Sequence, residues 1–358
     1  MIAKTYPRPN VRVTAEEIKE KYNLETVYLM HQNESPYGPS PAVLEAIQKE
    51  AASLNYYPSM SDGALRDTLA EVLGRGLTRD NFWTGCSGYE TIELLARAYL
   101  GAEDEVIITP PTFGAYNKMI GLQDSQIVQV PLTGPIFVPN IDAILAAITE
   151  KTKLVLLCNP GNPTGSILVA AEMDRLVNAL PDRVILVSDD VYHQFVRNTE
   201  YPDSIQYVVD GKNVVLIHTF SKAYGMAGVR VGYGIAKPEI ANHIGGMHRG
   251  FHHNRLGMAA AIAAANDQVY LQETVNKLLD GKKWICEQLD ELDIAYIPSE
   301  TNFILMDVGR PSQIVTEALY AYGVITRPQS GDLENYLRVT VSTPEGNAQF
   351  IKGLKAIL

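Results

Sequence analysis

The chain has 358 residues, 46% hydrophobic and 20% charged, which suits a large domain with a smaller companion and excludes a disordered or collagen-like polymer. A formal net charge of -11 argues against a nucleic-acid partner, which calls for a basic surface. Three scattered cysteines (Cys86, Cys158, Cys286) form neither a disulfide framework nor a metal-ligand spacing, and no apolar run approaches the roughly 20 residues of a membrane span. The expectation is a cytoplasmic protein with no metal site. The N-terminus, Met1 to Pro7, adds no apolar leader.

The first 32 residues read as an arm, with Pro7 and Pro9 followed by a helical stretch near Thr14–Tyr22. Thr14-Ala15-Glu16-Glu17 has the form of a capping box, Thr14 at N-cap and Glu17 at N3. Pro36, Gly38, Pro39 and Pro41 then punctuate the entry to the body. Short apolar runs follow: Val106-Ile107-Ile108, Leu154 to Leu157, Val184 to Val187 and Val214 to Ile217. Their near-continuous apolar character predicts parallel strands covered on both faces. Helical patterns at Ile92–Leu100 and Ala170–Leu180 lie between them, which gives the α/β class, a doubly wound, mainly parallel sheet. After about residue 250 the pattern changes to a long helical region (Met258–Leu292), then Phe303–Met306, a helix near Ser312–Tyr322, Leu337–Val341 and a last helix. The predicted division is an arm over 1–32, a large domain over 33–250 and a smaller α+β domain over 251–358.

In an open α/β sheet a ligand gathers outside the carboxyl ends of the strands. Lys222 follows one predicted strand within Thr219-Phe220-Ser221-Lys222, where an amine can form an imine with an aldehyde cofactor. Thr219, Ser221 and the later Arg230 are candidate phosphate ligands. Asp189 ends another strand, placed to pair with a protonated pyridine nitrogen, with Tyr192 three residues on. Asn162 sits in the rigid turn Cys158-Asn159-Pro160-Gly161-Asn162-Pro163. Ser87, Gly88 and Tyr89 open a helix whose free N–H groups suit a phosphate. Phe113 lies at a strand-to-helix junction, where an aromatic can stack on a ring. Each segment alone fits an ordinary turn, N-cap or core residue.

Taken together, in this order and spacing, the segments resemble the fold-type I pyridoxal-phosphate (PLP) enzymes, the class I/II aminotransferases of the histidinol-phosphate type. Asn33-Glu34-Ser35-Pro36-Tyr37-Gly38, Tyr57-Pro58, Asn302-Phe303 and Leu337-Arg338-Val339-Thr340 extend the resemblance along the chain from residue 28. It implies PLP as cofactor, with Lys222 as the Schiff-base lysine and proton shuttle and Asp189 on the pyridine nitrogen. It implies Tyr192 and Asn162 on the ring oxygen and Phe113 stacked on the ring. Phosphate contacts would come from Ser87, Gly88, Tyr89, Thr219, Ser221, Arg230 and a neighbouring subunit's Tyr57, and Arg338 would take the substrate carboxylate. Sites shared in this way imply a homodimer.

Three departures set the chain apart from the histidinol-phosphate pattern: Ser87-Gly88-Tyr89-Glu90 at the phosphate loop, His248-Arg249-Gly250-Phe251-His252-His253-Asn254, and His31 ahead of Asn33. Thr14, Glu17 and His31 together resemble the arm of the PLP-dependent L-arginine oxidases. That second resemblance implies O2 as co-substrate, Thr14 and Glu17 at the substrate guanidinium, and His31 as a second acid/base. The expected activity is oxidation of L-arginine to a 2-keto acid with peroxide and ammonia. The alternative is transamination of histidinol phosphate, an aromatic amino acid or arginine with a 2-oxo acid, and a third possibility is a PLP-fold binding protein without catalysis.

Overall fold

In the computed structural model, which describes residues 13–358, seven strands form one central sheet in the order 82–85, 232–235, 214–219, 185–189, 152–158, 105–108, 126–129. The strand Gly232–Ile235 runs antiparallel to both neighbours, and the remaining pairs are parallel. Side chains alternate across a strand, so the apolar runs read from the sequence split between two cores. Leu154, Leu156, Ile185 and Val187 face one layer of helices with Leu95, Met119 and Ile240. Val155, Leu157, Leu186 and Leu216 face the other, with Leu65, Met173 and Ala261. Burial on both faces is why these strands carry almost no polar residue. Three strands of this sheet had no place in the sequence reading: Phe82–Gly85, Gln126–Gln129 and Gly232–Ile235.

A second sheet of three strands, in the order 327–328, 336–340, 303–307, is antiparallel and packs with the helices Gln268–Glu291, Ser312–Leu319 and Pro344–Ile357. Its core, with Phe303, Ile304, Leu337, Val339 and Phe350, also takes in Tyr192 and Phe195 from the loop after the strand Ile185–Asp189. The two sheets therefore meet at the edge where the parallel strands end. The long helical region expected over Met258–Leu292 is two helices, Arg255–Asn266 and Gln268–Glu291, separated at Asp267, whose side chain accepts from the Tyr270 amide. The first of them packs on helices Pro41–Ala51 and Gly63–Leu73 and shares the large sheet's core. A division at 250/251 thus does not coincide with the change of core.

The described part of the arm is the helix Ala15–Tyr22, capped by Thr14, and the strand Tyr28–Leu29, which pairs in parallel with Val324–Ile325 beside the smaller sheet. Pro7 and Pro9 lie outside the described residues. Among the described residues no helix is long and apolar enough to cross a membrane.

Candidate active site

A cavity of about 790 Å³ opens between the carboxyl edge of the large sheet and the smaller sheet. Ser87, Gly88, Tyr89, Phe113, Asn162, Asp189, Tyr192, Thr219, Ser221, Lys222, Arg230, His31 and Arg338, far apart in sequence, all line it. Parallel strands end on the same edge, so the turns after each deliver these residues to one place.

Asp189 is the last residue of its strand and is buried. Its Oδ2 accepts a hydrogen bond from the Tyr116 hydroxyl, while Oδ1 is buried with no partner among the described residues. Desolvation raises its carboxyl to about 6, against the opposing pull of Tyr116, the Val191 amide and Lys222. The carboxylate is therefore mostly ionised at neutral pH and has one oxygen to offer. Lys222 Nζ donates to the Gln32 carbonyl at 2.9 Å and lies 5.9 Å from the centre of the Tyr192 ring. Burial and then the Arg338 guanidinium lower its ammonium to about 8, while Glu34 and Asp189 oppose the shift. Lys222 thus holds a substantial amine fraction near neutral pH, as an imine-forming lysine needs.

The Tyr192 hydroxyl accepts from Asn33 Nδ2 at 2.9 Å and Asn162 Nδ2 at 3.3 Å, and burial raises its own pKa. Asn162 Oδ1 in turn accepts from Arg338 at 2.5 Å, and a second guanidinium nitrogen of Arg338 donates to the His31 carbonyl at 2.8 Å. Tyr192, Asn162 and Arg338 therefore form one chain of hydrogen bonds that crosses between the two sheets. Arg338 also lies over the Phe303 ring, 5.2 Å from its centre. Gly225, at φ 67°, lets the Lys222 turn close on the Asn33–Gly38 segment; a Cβ there would collide with the Gly38 carbonyl.

At the other end, Ser87 opens the helix Ser87–Tyr99 in the left-handed region, and its buried Oγ has no partner among the described residues. The Thr219 hydroxyl donates to Ser221 Oγ at 3.0 Å, and Arg230 reaches the Ala227 carbonyl at 2.6 Å. A helix N-terminus, three hydroxyls and an arginine make an anion cradle. Phe113 stands edge-on to Tyr116, with ring centres 5.5 Å apart. Ser87 Oγ and Asp189 Oδ1, both orphaned in residues that line the cavity, would be satisfied by the phosphate and the ring nitrogen of a phosphorylated pyridine.

The sequence matches the family described as Aminotransferase class I and II over residues 25–354. The chain belongs to this family. A histidinol-phosphate aminotransferase of Symbiobacterium thermophilum is 37% identical over 345 residues, covering 96% of this chain and 94% of that protein. One from Moorella thermoacetica is 35% identical over 347 residues, covering 96% and 88%. The crystal structure of the Sinorhizobium meliloti histidinol-phosphate aminotransferase, in complex with pyridoxal-5'-phosphate, superposes with a TM-score of 0.86 at 26% identity, covering 98% of this chain and 96% of that one. Thermus thermophilus aspartate aminotransferase (TM-score 0.84, 21% identity, 96% and 94% covered) shares the fold. The protein is a PLP-dependent enzyme of fold type I, and its cofactor is pyridoxal 5'-phosphate.

Three expected site residues are not in the cavity. Thr14 and Glu17 are exposed and bonded to one another: the Thr14 amide donates to Glu17 Oε2 at 2.7 Å and the Glu17 amide to Thr14 Oγ1 at 3.2 Å. The capping box satisfies both, and those hydrogen bonds lower the Glu17 carboxyl. Tyr57 is 78% exposed and stacks on Phe251 with ring centres 4.7 Å apart. Sequence reasoning missed Tyr116, whose role rests on a contact with Asp189 that no local pattern announces. It also missed Arg327 and Gln329, which line the cavity from the smaller sheet. Asn33 was visible within its motif, but its bond to Tyr192 was not.

Proposed function

We propose that the protein is an aminotransferase that moves an amino group between an L-amino acid or related amine and a 2-oxo acid, with one substrate of the pair carrying a second anionic group. The observation that carries this is the register of the smaller sheet. Arg327 stands directly opposite Arg338 on the antiparallel neighbour, and both line the cavity. Directly opposed residues share a face, so two guanidiniums stand on one cavity wall, suited to a carboxylate at the reacting carbon and to a distal carboxylate or phosphate. A 2-oxo dicarboxylate would use both guanidiniums, whereas histidinol phosphate, named in the relatives' description, carries a phosphate and no carboxylate and would engage them with that one group.

PLP, when bound, supplies an electron sink that makes the α-proton of the amine removable. Arg338 orients the α-carboxylate, held in turn by Asn162 and the His31 carbonyl. Lys222 Nζ, with its lowered pKa, would hold the cofactor's aldehyde carbon and carry the α-proton. Asp189 Oδ1 would pair with a protonated ring nitrogen, while Tyr116 holds the other carboxylate oxygen. Tyr192 and Asn162 would take the cofactor's ring oxygen, Phe113 would pack on its ring, and Ser87, Gly88, Tyr89, Thr219, Ser221 and Arg230 would hold its phosphate.

A homodimer belongs to the same reading. Tyr57 is exposed and stacks on the exposed Phe251, and Leu54, Tyr56 and Met60, close to it in sequence, are exposed too. Such exposed apolar side chains suit a second copy, into whose site Tyr57 would reach. Three free thiols favour a reducing, cytoplasmic setting.

A second reading, O2-dependent oxidation of L-arginine, is favoured by one observation: His31 is buried in the cavity wall, where it can act as a further acid/base. Against it, Glu17 lies outside the cavity of its own chain, and the carboxylates that line the cavity are Glu34 and Asp189. An oxygen electrode and an amino-acid analyser, run on one panel of amines with and without 2-oxoglutarate, separate the two. Product that requires the 2-oxo acid and consumes no oxygen supports transamination. Oxygen uptake with arginine alone, lost in His31→Ala, overturns it.

A further inference from the structure

A group of side chains outside the active site is arranged as ligands. Asp62, His252 and His253 each offer one donor atom, all within 4.8 Å of one another. Asp62 and His253 are buried, and His252 is half-buried. Donors on a tetrahedral zinc ion sit roughly 3.4 Å apart, from bonds of about 2.0–2.2 Å, so small side-chain rotations close the set.

Three details distinguish this group from an incidental cluster. Asp62 occupies the N-cap position of the helix Gly63–Leu73 yet makes no side-chain cap. Its carboxylate turns instead to Thr84, which donates to Oδ2 at 2.6 Å, and to Arg66, whose Nε lies 2.8 Å from Oδ1. Each oxygen keeps a lone pair. His252 Nε2 is buried with no hydrogen-bond partner among the described residues. His253 Nε2 lies 2.5 Å from Thr84 Oγ1. The Thr84 proton goes to Asp62, so that hydroxyl accepts from the ring and fixes its orientation, as outer hydrogen bonds do for metal-bound imidazoles. His248 donates to the Thr84 carbonyl at 2.6 Å and stacks on His252 with ring centres 3.9 Å apart.

We propose that Asp62, His252 and His253 bind one divalent transition-metal ion of the Zn2+, Co2+ or Ni2+ class. Two imidazoles and one carboxylate suit that class and leave a position for water. The expectation of no metal site came from cysteine spacing; this set uses none. The ion ties the 248–254 loop to the helix Gly63–Leu73 and to Thr84, in the strand that leads through Gly85 to Ser87 and the phosphate end of the cavity. Its role is structural, independent of the substrate and of the reaction proposed above.

The test is equilibrium dialysis of tag-free, chelator-treated holoenzyme against micromolar Zn2+ and Co2+, with metal content and thermal midpoint read together. One ion per chain and a raised midpoint are expected, with affinity reduced by at least about 100-fold in His252→Ala and stoichiometric binding absent in the double variant His252→Ala/His253→Ala. His252 is half-buried, so the single variant can be checked for its fold by PLP absorbance. Wild-type protein that takes up no stoichiometric ion overturns the proposal without any variant, as does a His252→Ala protein that binds as tightly as wild type.

Discussion

The carboxyl edge of the large sheet and the N-terminal arm both carried functional candidates, and the structure treats them differently. At the sheet edge, Asp189, Tyr192, Asn162, Lys222 and Arg338 have few partners close in sequence. Their hydrogen bonds are long-range: Tyr192 to Asn33, Asn162 to Arg338, Asp189 to Tyr116, Lys222 to Gln32. In the arm, Thr14 and Glu17 satisfy each other three residues apart. A polar group with a good local partner has no need of a distant one, whereas a buried polar group without one must be completed by the fold or by a ligand. Convergence of locally unsatisfied groups is thus a stronger functional signal than a motif that closes on itself.

Replacing the residues on the converged side should cost most. Lys222→Ala is expected to lower amino transfer by at least about 10³-fold, within the usual range for a positioned acid/base, and to abolish the cofactor's lysine-imine absorbance. Retained absorbance and turnover would remove Lys222 from its role. In wild-type apo-protein, PLP uptake should speed up as pH rises through about 8, because that is where the Lys222 amine forms. A midpoint near 10.5, the ordinary lysine value, would show that burial does not act on it in this way.

Arg338→Ala comes next. Truncating one partner of a buried charged hydrogen-bond network costs roughly 2–5 kcal/mol, so kcat/KM should fall by at least about 30-fold for every substrate that bears an α-carboxylate. Equal losses for an amine without any anionic group would point to collapse of the Asn162–Tyr192 chain instead. Tyr116→Phe is milder, about tenfold, the worth of one hydrogen bond to a charged group. The Tyr116 bond lowers the Asp189 carboxyl, so its loss lets the carboxylate protonate at higher pH. In apo-protein the Asp189 carboxyl should therefore titrate above about 6, read by carboxyl-labelled NMR, and an unmoved titration would show that the Tyr116 bond does not act on it.

Glu17→Gln sharpens the comparison from the quiet side. Glutamine keeps an N3 acceptor for the Thr14 amide, so kinetics with any amine should stay within about twofold, as for exposed charges generally. A KM for arginine raised tenfold or more, with other amines unchanged, would mean that the arm reaches a cationic substrate and would revive the oxidase reading.

Much of the frame was legible because its physics is local. The buried parallel strands announce themselves as Leu154 to Leu157 and Val214 to Ile217, which have cores on both faces. The helix Ala15–Tyr22 starts where its capping box says it should. Gln126–Gln129 escaped because it is an edge strand with exposed ends. Gly232–Ile235 escaped because glycine is a poor strand former. Its place depends on Trp83, whose indole leaves no room for a Cβ at Gly234.

Sequence alone determined the fold class and the lysine and aspartate at strand ends, since a buried strand and the turn at its end are set within a few residues; the cofactor was implied only by the resemblance of all the segments together. Tertiary structure alone decided which polar groups face one another. It brought Tyr116 to Asp189, opposed Arg327 to Arg338 across two strands, left Glu17 with Thr14, and set Asp62 beside His252 and His253. The physical reason is reach. Propensity and capping act over one helical turn, whereas a site assembled from separate strand ends and loops exists only once the sheets have packed and water has left between them.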